Sequence, residues 1–434
     1  MNPGYGGSLR ALWRRSAKRL AGDTGWAAVV ELVTMVSGLV VMFVISTRLG
    51  PGAYGYFVGA QALIAALGMV SYGAVAQLLM QGIVRDRRPP GEVFGRALGL
   101  ALATTCAALL TGLLLSGILF PGLDAAVFGL LAVAELLGMG AVVLSAAYRQ
   151  ALDAYRESVI PRVLLLLGRT GAVVGLAALG SMSLGQVAAA FCVLGLLVAA
   201  VVLGQLRVRD GVPLRPRKPT TQEVCDGMSA ATSLLAFSVH EDADKVLMVR
   251  LADPVTAGLY AAAYRAVQVV AAPIKALVTA SHRRFLVHDP DATGEHTRRS
   301  RAYTVLGASY GILASAVAIA AAPLLPAVLG EDYRGSVPMV QVLAVLVLLR
   351  GLGAFSFNGL LGLGAHGYRM YAISVAAVAA AVLNLTLIPR FSWWGGAVAT
   401  LAAEFLFVAL AWWALLRAQR RHDRAVGASV VATA

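Results

Sequence analysis

The chain has 434 residues and a formal net charge of +14, and 59% of its residues are hydrophobic while only 13% are charged. Soluble domains are about half apolar and about a quarter charged, and a soluble core of this size cannot bury so large an apolar surplus. The composition therefore excludes a cytosolic enzyme, a nucleic-acid-binding domain and a disordered protein, and it indicates an all-α polytopic membrane protein.

Twelve apolar runs follow one another along the chain. About 30 Å of hydrocarbon requires about 20 helical residues at a rise of 1.5 Å each. The runs are 26–47, 54–80, 94–119, 125–148, 160–180, 184–206, 224–249, 255–281, 303–328, 337–363, 368–388 and 394–416. Residues 1–25 precede them and form a basic, amphipathic arm suited to an anionic cytoplasmic membrane surface. The sequence thus predicts about twelve transmembrane helices.

Lysine and arginine residues set the predicted orientation. With the N-terminus inside, 26 of the 36 lie in inner loops or termini and four lie in outer loops. Because inner loops carry the basic excess in membrane proteins, both termini are predicted to be cytoplasmic. The positive charge is then an orientation signal, and no nucleic-acid partner is needed to explain it.

The second half of the chain repeats a pattern of the first. Residues 48–57 (RLGPGAYGYF) end the first span, and residues 250–260 (RLADPVTAGLY) end the seventh. A basic, proline-rich linker at 207–223 separates six spans from six spans of the same orientation, as in transporters built from parallel repeats. We predict an N-terminal lobe at 26–206, a C-terminal lobe at 224–416 and a cytoplasmic tail at 417–434.

Three arginines are predicted to lie deep in the membrane. Arg169, Arg265 and Arg350 are each about 14–20 Å from the start of their helix at 1.5 Å per residue. Arg265, Gln268 and Lys275 share an arc of about 80° on one helix face. Guanidinium groups bind phosphate through bidentate, charge-assisted hydrogen bonds, so these five residues are candidate ligands for a phosphorylated substrate.

The alternative is that each deep arginine pairs with a buried carboxylate, such as Glu135 or Glu404, and clamps two helices together. Charges in a membrane interior are costly in either case. The sequence leaves both interpretations open.

A second polar cluster lies at 240–245 (HEDADK) in the seventh span. Glu241 precedes Lys245 by four residues, which is the favourable order for a helical ion pair. His240 and Asp244 have the same spacing. Asp242 is then left without a local partner, and an unpaired carboxylate at that depth binds a proton or a cation.

Asp242 and Asp244 are therefore candidate residues for coupling to a sodium or proton gradient. Asn384 and Thr400 offer neutral oxygens for a sodium ion. The alternative is an ion-pair network that seals the outer end of the helix. No P-loop motif is present, and the sequence predicts no cofactor, no metal centre and no enzymatic activity.

Four segments, in register with the predicted spans, resemble the polysaccharide-unit flippases of bacteria. They are 48–57 (RLGPGAYGYF), 244–245 with 257–265 (AGLYAAAYR), 329–334 (LGEDYR), and 384–391 (NLTLIPRF) with 394–397 (WGGA). The similarity extends from about residue 26 to residue 416. These flippases belong to the multidrug/oligosaccharidyl-lipid/polysaccharide exporter superfamily.

The resemblance implies two six-helix lobes in a V shape around a central cavity. It implies that the chain moves a polyprenyl-diphosphate-linked oligosaccharide from the inner to the outer leaflet of the bacterial plasma membrane by alternating access. Arg265 follows the family's tyrosine–arginine pattern and would hold the diphosphate. The implied partners are the lipid-linked substrate, membrane lipids, and the polymerase and glycosyltransferases of the pathway.

Three other functions compete with this prediction. A drug or cation exporter of the same superfamily would require acidic charge and aromatic residues in the cavity. A membrane glycosyltransferase or polymerase would require carboxylates on a sizeable outer loop, and the predicted outer loops are short. A scaffold without transport activity is also compatible with the sequence. The basic loop at 85–91 has no assigned role.

Overall fold

A computed structural model describes residues 5–180, 182–286 and 294–433, and every regular element in these ranges is helical. This agrees with the predicted all-α class. The side chains of residues 1–24, which carry the predicted basic arm, lie outside the described residues, as do those of Arg283 and Arg284.

The α-helices, in chain order, are α1 (Tyr5–Gly68), α2 (Ala74–Met80), α3 (Pro90–Leu119), α4 (Ala125–Val133), α5 (Gly140–Ala151), α6 (Tyr155–Ala178), α7 (Leu184–Val208), α8 (Thr221–Leu251), α9 (Pro254–Leu286), α10 (Glu295–Ala321), α11 (Leu325–Leu329), α12 (Ser336–Leu343), α13 (Val345–Gly362), α14 (His366–Phe391) and α15 (Trp393–Thr433). Wider π-helical turns at Met69–Gly73, Gln81–Arg85 and Ala134–Met139 continue the helices on either side of them. Short 3₁₀ segments at Ala322–Leu324 and Glu331–Tyr333 flank α11.

Ten of the described helical segments are long and apolar enough to cross a membrane, compared with twelve predicted. One difference is that the first two predicted spans form a single segment, Val29–Arg85, of 57 residues. This segment is interrupted at Gly50, whose φ of 78° is a conformation that favours glycine, and Pro51 follows it. The other is that α8, which contains the seventh predicted span, is not among the ten segments.

Large apolar side chains cover the outer surface of several helices. On α10, Val305 is 65% exposed, Ile312 is 61% exposed and Leu313 is 64% exposed. Exposed apolar surface of this kind is rare on soluble monomers and is expected of a surface that contacts lipid. The fold is thus that of a multi-pass membrane protein.

The described contacts divide the chain into two compact units. The first contains Met1–Val41, Val70–Thr111 and Gly129–Ala231, and the second contains Met42–Met69, Gly112–Phe128 and Thr232–Ala434. The second unit therefore includes two segments of the predicted N-terminal lobe. The two predicted lobes stay a prediction.

The repeated segments noted in the sequence contact each other within the second unit. A Cβ atom added at Gly55 would collide with the carbonyl oxygen of Pro254, and one added at Gly258 would collide with that of Pro51. The contact is reciprocal, since each repeat contributes one glycine and one proline carbonyl. Only glycine permits so close an approach of two backbones.

The predicted linker packs against the start of α3 in the first unit. The amide of Arg217 donates a hydrogen bond of 2.9 Å to the carbonyl oxygen of Gly95. A Cβ atom at Gly99 would collide with the carbonyl oxygen of Arg217. Residues 211–220 of the linker have no regular secondary structure, and they are docked along a helix surface that two glycines leave open.

Glu223, at the end of the linker, joins it to the basic loop at 85–91. Its carboxylate accepts hydrogen bonds from Arg88 at 3.0 Å and from Arg96 at 3.3 Å. Burial alone would raise the pKa of Glu223, but hydrogen bonds from Thr220 and Arg96 hold that pKa below its ordinary value. The basic loop therefore has a structural role that the sequence did not reveal.

We expect Gly99→Ala to release the linker, because the new methyl group would occupy the position of the Arg217 carbonyl. Overpacking of this kind costs about 1–3 kcal/mol, and cleavage of a docked segment follows its open population. Limited trypsin digestion should therefore cut the Arg217–Lys218 bond, the one bond at 215–219 whose basic residue does not precede proline, about tenfold faster than in the wild type.

Gly117→Ala is the matched control, since it lies on the same helix and its Cβ would meet no atom within 4 Å. Equal cleavage of the Gly99→Ala variant and the wild type would show that the linker is not held by this contact.

Candidate functional site

Half of the buried polar side chains described in the second unit lie on α8, α9, α13 and α15. Asp244 is 3% exposed, Lys245 8% and Glu404 6%. Burial of ionised groups is tolerated when they are paired and hydrogen-bonded. The pairing within this cluster determines what it is able to bind.

Lys245 is the centre of the cluster. Its Nζ donates to the main-chain oxygen of Glu241 at 2.7 Å and to Oδ1 of Asp242 at 2.8 Å. Oδ1 of Asp244 is 3.4 Å away. The ammonium group also lies 3.8 Å from the centroid of the Tyr264 ring, in a cation–π contact. Lys245 thus neutralises charge between two carboxylates.

The second oxygen of Asp244 is bound by two hydroxyl groups. Its Oδ2 accepts hydrogen bonds from Tyr260 at 2.9 Å and from Thr400 at 3.1 Å. The predicted ion-coupling residues Asp242, Asp244 and Thr400 therefore do come together. The fourth, Asn384, donates to Ala380 of its own helix, and its Oδ1 has no hydrogen-bond partner among the described residues.

The prediction that Asp242 lacks a local partner is wrong, since it pairs with Lys245 three residues later. The predicted side-chain pair of Glu241 with Lys245 is also replaced, because Glu241 pairs with Arg350. Glu241 and His240 of α8 pair with residues of other helices, whereas Lys245 and Asp242 pair within α8 at a spacing of three residues. The rule for four-residue spacing predicts none of these pairs.

Arg350 of α13 binds the carboxylate of Glu241 at 2.8 Å through one guanidinium nitrogen. The same nitrogen donates to the hydroxyl group of Tyr264, also at 2.8 Å. One aromatic residue thus contacts both Lys245 and Arg350. For Arg350, the geometry is that of the helix-to-helix clamp, with Glu241 as the carboxylate partner.

A histidine–carboxylate pair lies beside this network. Nε2 of His240 is 3.3 Å from the carboxylate of Glu404, and both side chains are less than 10% exposed. Nδ1 of His240 is buried and has no hydrogen-bond partner among the described residues. Local spacing predicts an ion pair of His240 with Asp244 instead, because it contains no information about a partner on α15.

One possible cation-binding group follows from this arrangement. Ligand atoms of His240, Glu241 and Glu404 all lie within 4.8 Å of one another. Glu241 is already bound to Arg350, so a metal ion at this group would have to compete with Arg350 for the Glu241 carboxylate.

Arg169 belongs to the first unit and forms another clamp. It donates to Glu135 at 2.8 Å and to the main-chain oxygen of Ala134 at 3.0 Å. Its guanidinium group also lies 5.2 Å from the ring centroid of Phe191. Glu135 is one of the two clamp partners that the sequence analysis proposed.

Arg265 differs from the other two deep arginines. Its one described hydrogen bond is to Oε1 of Gln268, at 3.2 Å. Among the described residues, no carboxylate lies within ion-pair distance of it. Lys275, on the same face of α9, is exposed and also has no described ion-pair partner. The predicted stripe of Arg265, Gln268 and Lys275 is therefore rich in uncompensated positive charge.

The first unit contains a cavity of about 600 Å³ that the sequence analysis did not identify. Three glutamines line this cavity, and their positions in the sequence do not form a recognisable motif. The polar lining residues are Glu31, Gln77, Gln81, Gln150, Tyr155, Ser158 and Arg162. Amide, hydroxyl and aromatic groups in one cavity provide hydrogen-bonding partners for a polar ligand.

We expect Glu135→Gln to destabilise the protein, because it leaves the guanidinium group of Arg169 buried without an opposite charge. Breaking a buried pair costs about 3–5 kcal/mol, whereas replacing both partners by apolar residues costs far less. In thermal unfolding in detergent, the unfolding temperature of Glu135→Gln should be clearly lower than that of the wild type. The unfolding temperature of Glu135→Leu/Arg169→Met should be closer to the wild-type value.

The exposed pair Glu331–Arg334 provides the control, and Glu331→Gln should have little effect on unfolding. A stable Glu135→Gln variant would argue against the clamp and would return Arg169 to the set of substrate ligands.

We expect the wild-type protein to unfold at the same temperature in sodium and in potassium salts, because the Nζ of Lys245 already lies between Asp242 and Asp244. Lys245→Met should be destabilised, and sodium should then restore part of its stability. At a sodium concentration about fivefold above Kd, the gain is about 1 kcal/mol.

Lys218→Met, in the exposed linker, is the control for loss of a lysine. Sodium-dependent stabilisation of the wild type would show instead that an ion binds while Lys245 is in place.

Several solved structures share this fold. A multidrug resistance MATE family transporter of the MOP superfamily in an inward-facing conformation has a TM-score of 0.68 and 15% identity, over 88% of this chain and 94% of that one. An outward-facing conformation of such a transporter has a TM-score of 0.60 and 16% identity, over 92% and 94% of the two chains. At this identity the similarity shows the fold alone.

A MOP superfamily transporter from Pyrococcus furiosus, described as having a binding pocket of reverse polarity that suggests a different function, has a TM-score of 0.61. It is 15% identical over 92% of this chain and 95% of that one. No curated protein sequence matches the chain.

The family model described as polysaccharide biosynthesis protein matches residues 20–282, which is more than half of the chain. The predicted resemblance is thereby confirmed at the level of the family. With its transporter fold and its apolar helices, this chain belongs to the polysaccharide biosynthesis protein family.

Proposed function

We propose that this protein is a flippase that moves a polyprenyl-diphosphate-linked oligosaccharide from the inner to the outer leaflet of the plasma membrane. In this proposal two six-helix lobes alternate between inward-open and outward-open states, with both termini in the cytoplasm. Family membership and the transporter fold support it. A pathway polymerase and glycosyltransferases would act on the same lipid-linked saccharide.

The observation that carries the proposal is the uncompensated charge of Arg265. A guanidinium group on a membrane helix is costly unless it finds a counter-charge. Arg169 and Arg350 have carboxylate partners, but no described carboxylate lies within ion-pair distance of Arg265. A diphosphate provides the missing charge through bidentate hydrogen bonds, and Gln268 and Lys275 on the same face add further donors.

Direct contact with the diphosphate is therefore assigned to Arg265, Gln268 and Lys275. Arg169 and Arg350 are assigned to helix packing, since their guanidinium groups are already bound to Glu135 and Glu241. For the saccharide, the glutamine-lined cavity of the first unit offers amide groups, and these hydrogen-bond well to sugar hydroxyls.

The energy source in this proposal is a sodium or proton gradient, or the downhill flow of the substrate itself. Sodium at Asp242, Asp244 and Thr400 would require the ammonium group of Lys245 to move away first. A proton at the pair of His240 and Glu404 requires no such displacement.

An exporter of cationic drugs is a weaker candidate. It would require negative charge that is free to bind its substrate. The four carboxylates of the polar cluster in the second unit each contact a lysine, an arginine or a histidine. They are Glu241, Asp242, Asp244 and Glu404.

The test is binding of a short-chain polyprenyl-diphosphate disaccharide to the purified protein, with the free diphosphate lipid and a hydrophobic cation as competitors. We expect Arg265→Gln to weaken binding by about tenfold or more, since hydrogen bonds to charged groups contribute about 1.5–3 kcal/mol each. Only the diphosphate lipid should compete.

Arg250→Gln is the matched control, because Arg250 is exposed at the end of α8 and has no described ion-pair partner. Binding of the cation alone would favour the drug exporter. Unchanged binding in Arg265→Gln would remove the proposed role of that residue.

A further inference from the structure

A second cavity in the second unit lies where α13 ends, α14 begins and α15 extends past them. Its volume is about 930 Å³. Six side chains define its character: Tyr368, Tyr371, Trp413, Arg417, Arg421 and His422. None of these residues belongs to the candidate substrate or ion site.

The cavity is positively charged. The guanidinium group of Arg417 lies 5.3 Å from the Trp413 ring centroid, and that of Arg421 lies 5.5 Å from the Tyr368 ring centroid. These stacking contacts hold both cations beside the cavity without neutralising them. Among the described residues, no carboxylate lines the cavity or lies within ion-pair distance of either arginine.

The nearest acidic residue in the sequence is already engaged. Asp423 accepts hydrogen bonds from the amide of Gly294 at 3.1 Å and from Gln419 at 2.8 Å. Nε2 of His422, by contrast, is shielded from solvent and has no hydrogen-bond partner among the described residues. The cavity therefore combines two uncompensated cations with an imidazole nitrogen that lacks a partner.

The remaining surface of the cavity is apolar and aromatic. Tyr371 is 53% exposed and Trp413 is 45% exposed, so both rings are available to a ligand. The predicted orientation places the loop at 363–365 and residues from 417 onward at the cytoplasmic face. Tyrosine and tryptophan are typical of the membrane–water interface, and basic pockets between helices at the cytoplasmic side bind anionic lipid head groups.

We propose that this cavity is a binding site for an anionic glycerophospholipid of the inner leaflet. The lipid phosphate lies between Arg417 and Arg421, and the upper part of an acyl chain covers the rings of Tyr371 and Trp413. We assign an anionic lipid because its negative head group complements the two arginines and its apolar body complements the aromatic rings. This lipid is a resident ligand and is distinct from the transported saccharide.

The test measures binding of phosphatidylglycerol and phosphatidylcholine to the full-length purified protein by native mass spectrometry after delipidation. We expect the protein to retain phosphatidylglycerol in preference to phosphatidylcholine. A basic residue near an anionic lipid surface contributes about 1 kcal/mol, so Arg417→Gln/Arg421→Gln should weaken phosphatidylglycerol binding roughly 30-fold.

Arg420→Gln/Arg424→Gln is the matched control, because it removes the same charge from exposed positions of the same helix that do not line the cavity. A third variant, Arg417→Lys/Arg421→Lys, keeps the charge and guards against misfolding. It should retain the preference for the anionic lipid while losing part of the affinity, since lysine lacks the planar stacking group.

Three results would overturn the proposal. They are equal binding of the two lipids, an equal loss in the control variant, and displacement of phosphatidylglycerol by millimolar inorganic phosphate or by a polyprenyl phosphate. Because the assay contains no saccharide, its outcome is independent of whether the protein is a flippase.

Discussion

A charge buried among apolar helices requires an opposite charge or a set of hydrogen bonds, because the cost of removing it from water is several kcal/mol even after the protein relaxes. This constraint organises the interior of the protein. Arg169 is held by Glu135 and Arg350 by Glu241, while Lys245 lies between two aspartates. The pairs of Arg169 and Arg350 each connect two helical segments and so constrain their arrangement, whereas Lys245 compensates charge within α8.

Arg265 is the exception, and the proposed diphosphate site follows from the same constraint. A site that satisfied Arg265 with an internal carboxylate would have no reason to bind an anion. In the proposed function, leaving that charge without an internal partner lowers the stability of the empty site and makes binding of a diphosphate more favourable. The neighbouring network around Lys245 and Arg350 is, by contrast, unfavourable for binding a cation, because this lysine and this arginine already neutralise its acidic side chains.

Apolar periodicity predicted the helices well, since burial in lipid imposes a length and a composition that are visible in one sequence. Comparison of the two halves also identified the repeated glycine–proline segments, which contact each other. The interaction partners of the charged side chains were less predictable. Arg350 lies 109 positions from Glu241, and Glu404 lies on a different helix from His240, so the local spacing rule assigned Glu241 and His240 to the wrong neighbours. Docking of the linker was missed for a related reason, because a glycine-lined groove leaves no pattern in hydropathy.

The reciprocal contact of Gly55 and Gly258 has a consequence for how the two repeats tolerate mutation. Two copies of one motif face each other there as the subunits of an isologous dimer do, although they belong to a single polypeptide. Because each glycine lies against a proline carbonyl oxygen of the other copy, a side chain at either position would push the same two backbones apart. The two positions therefore form one constraint shared by distant parts of the chain, and glycine at one of them does not relieve a substitution at the other.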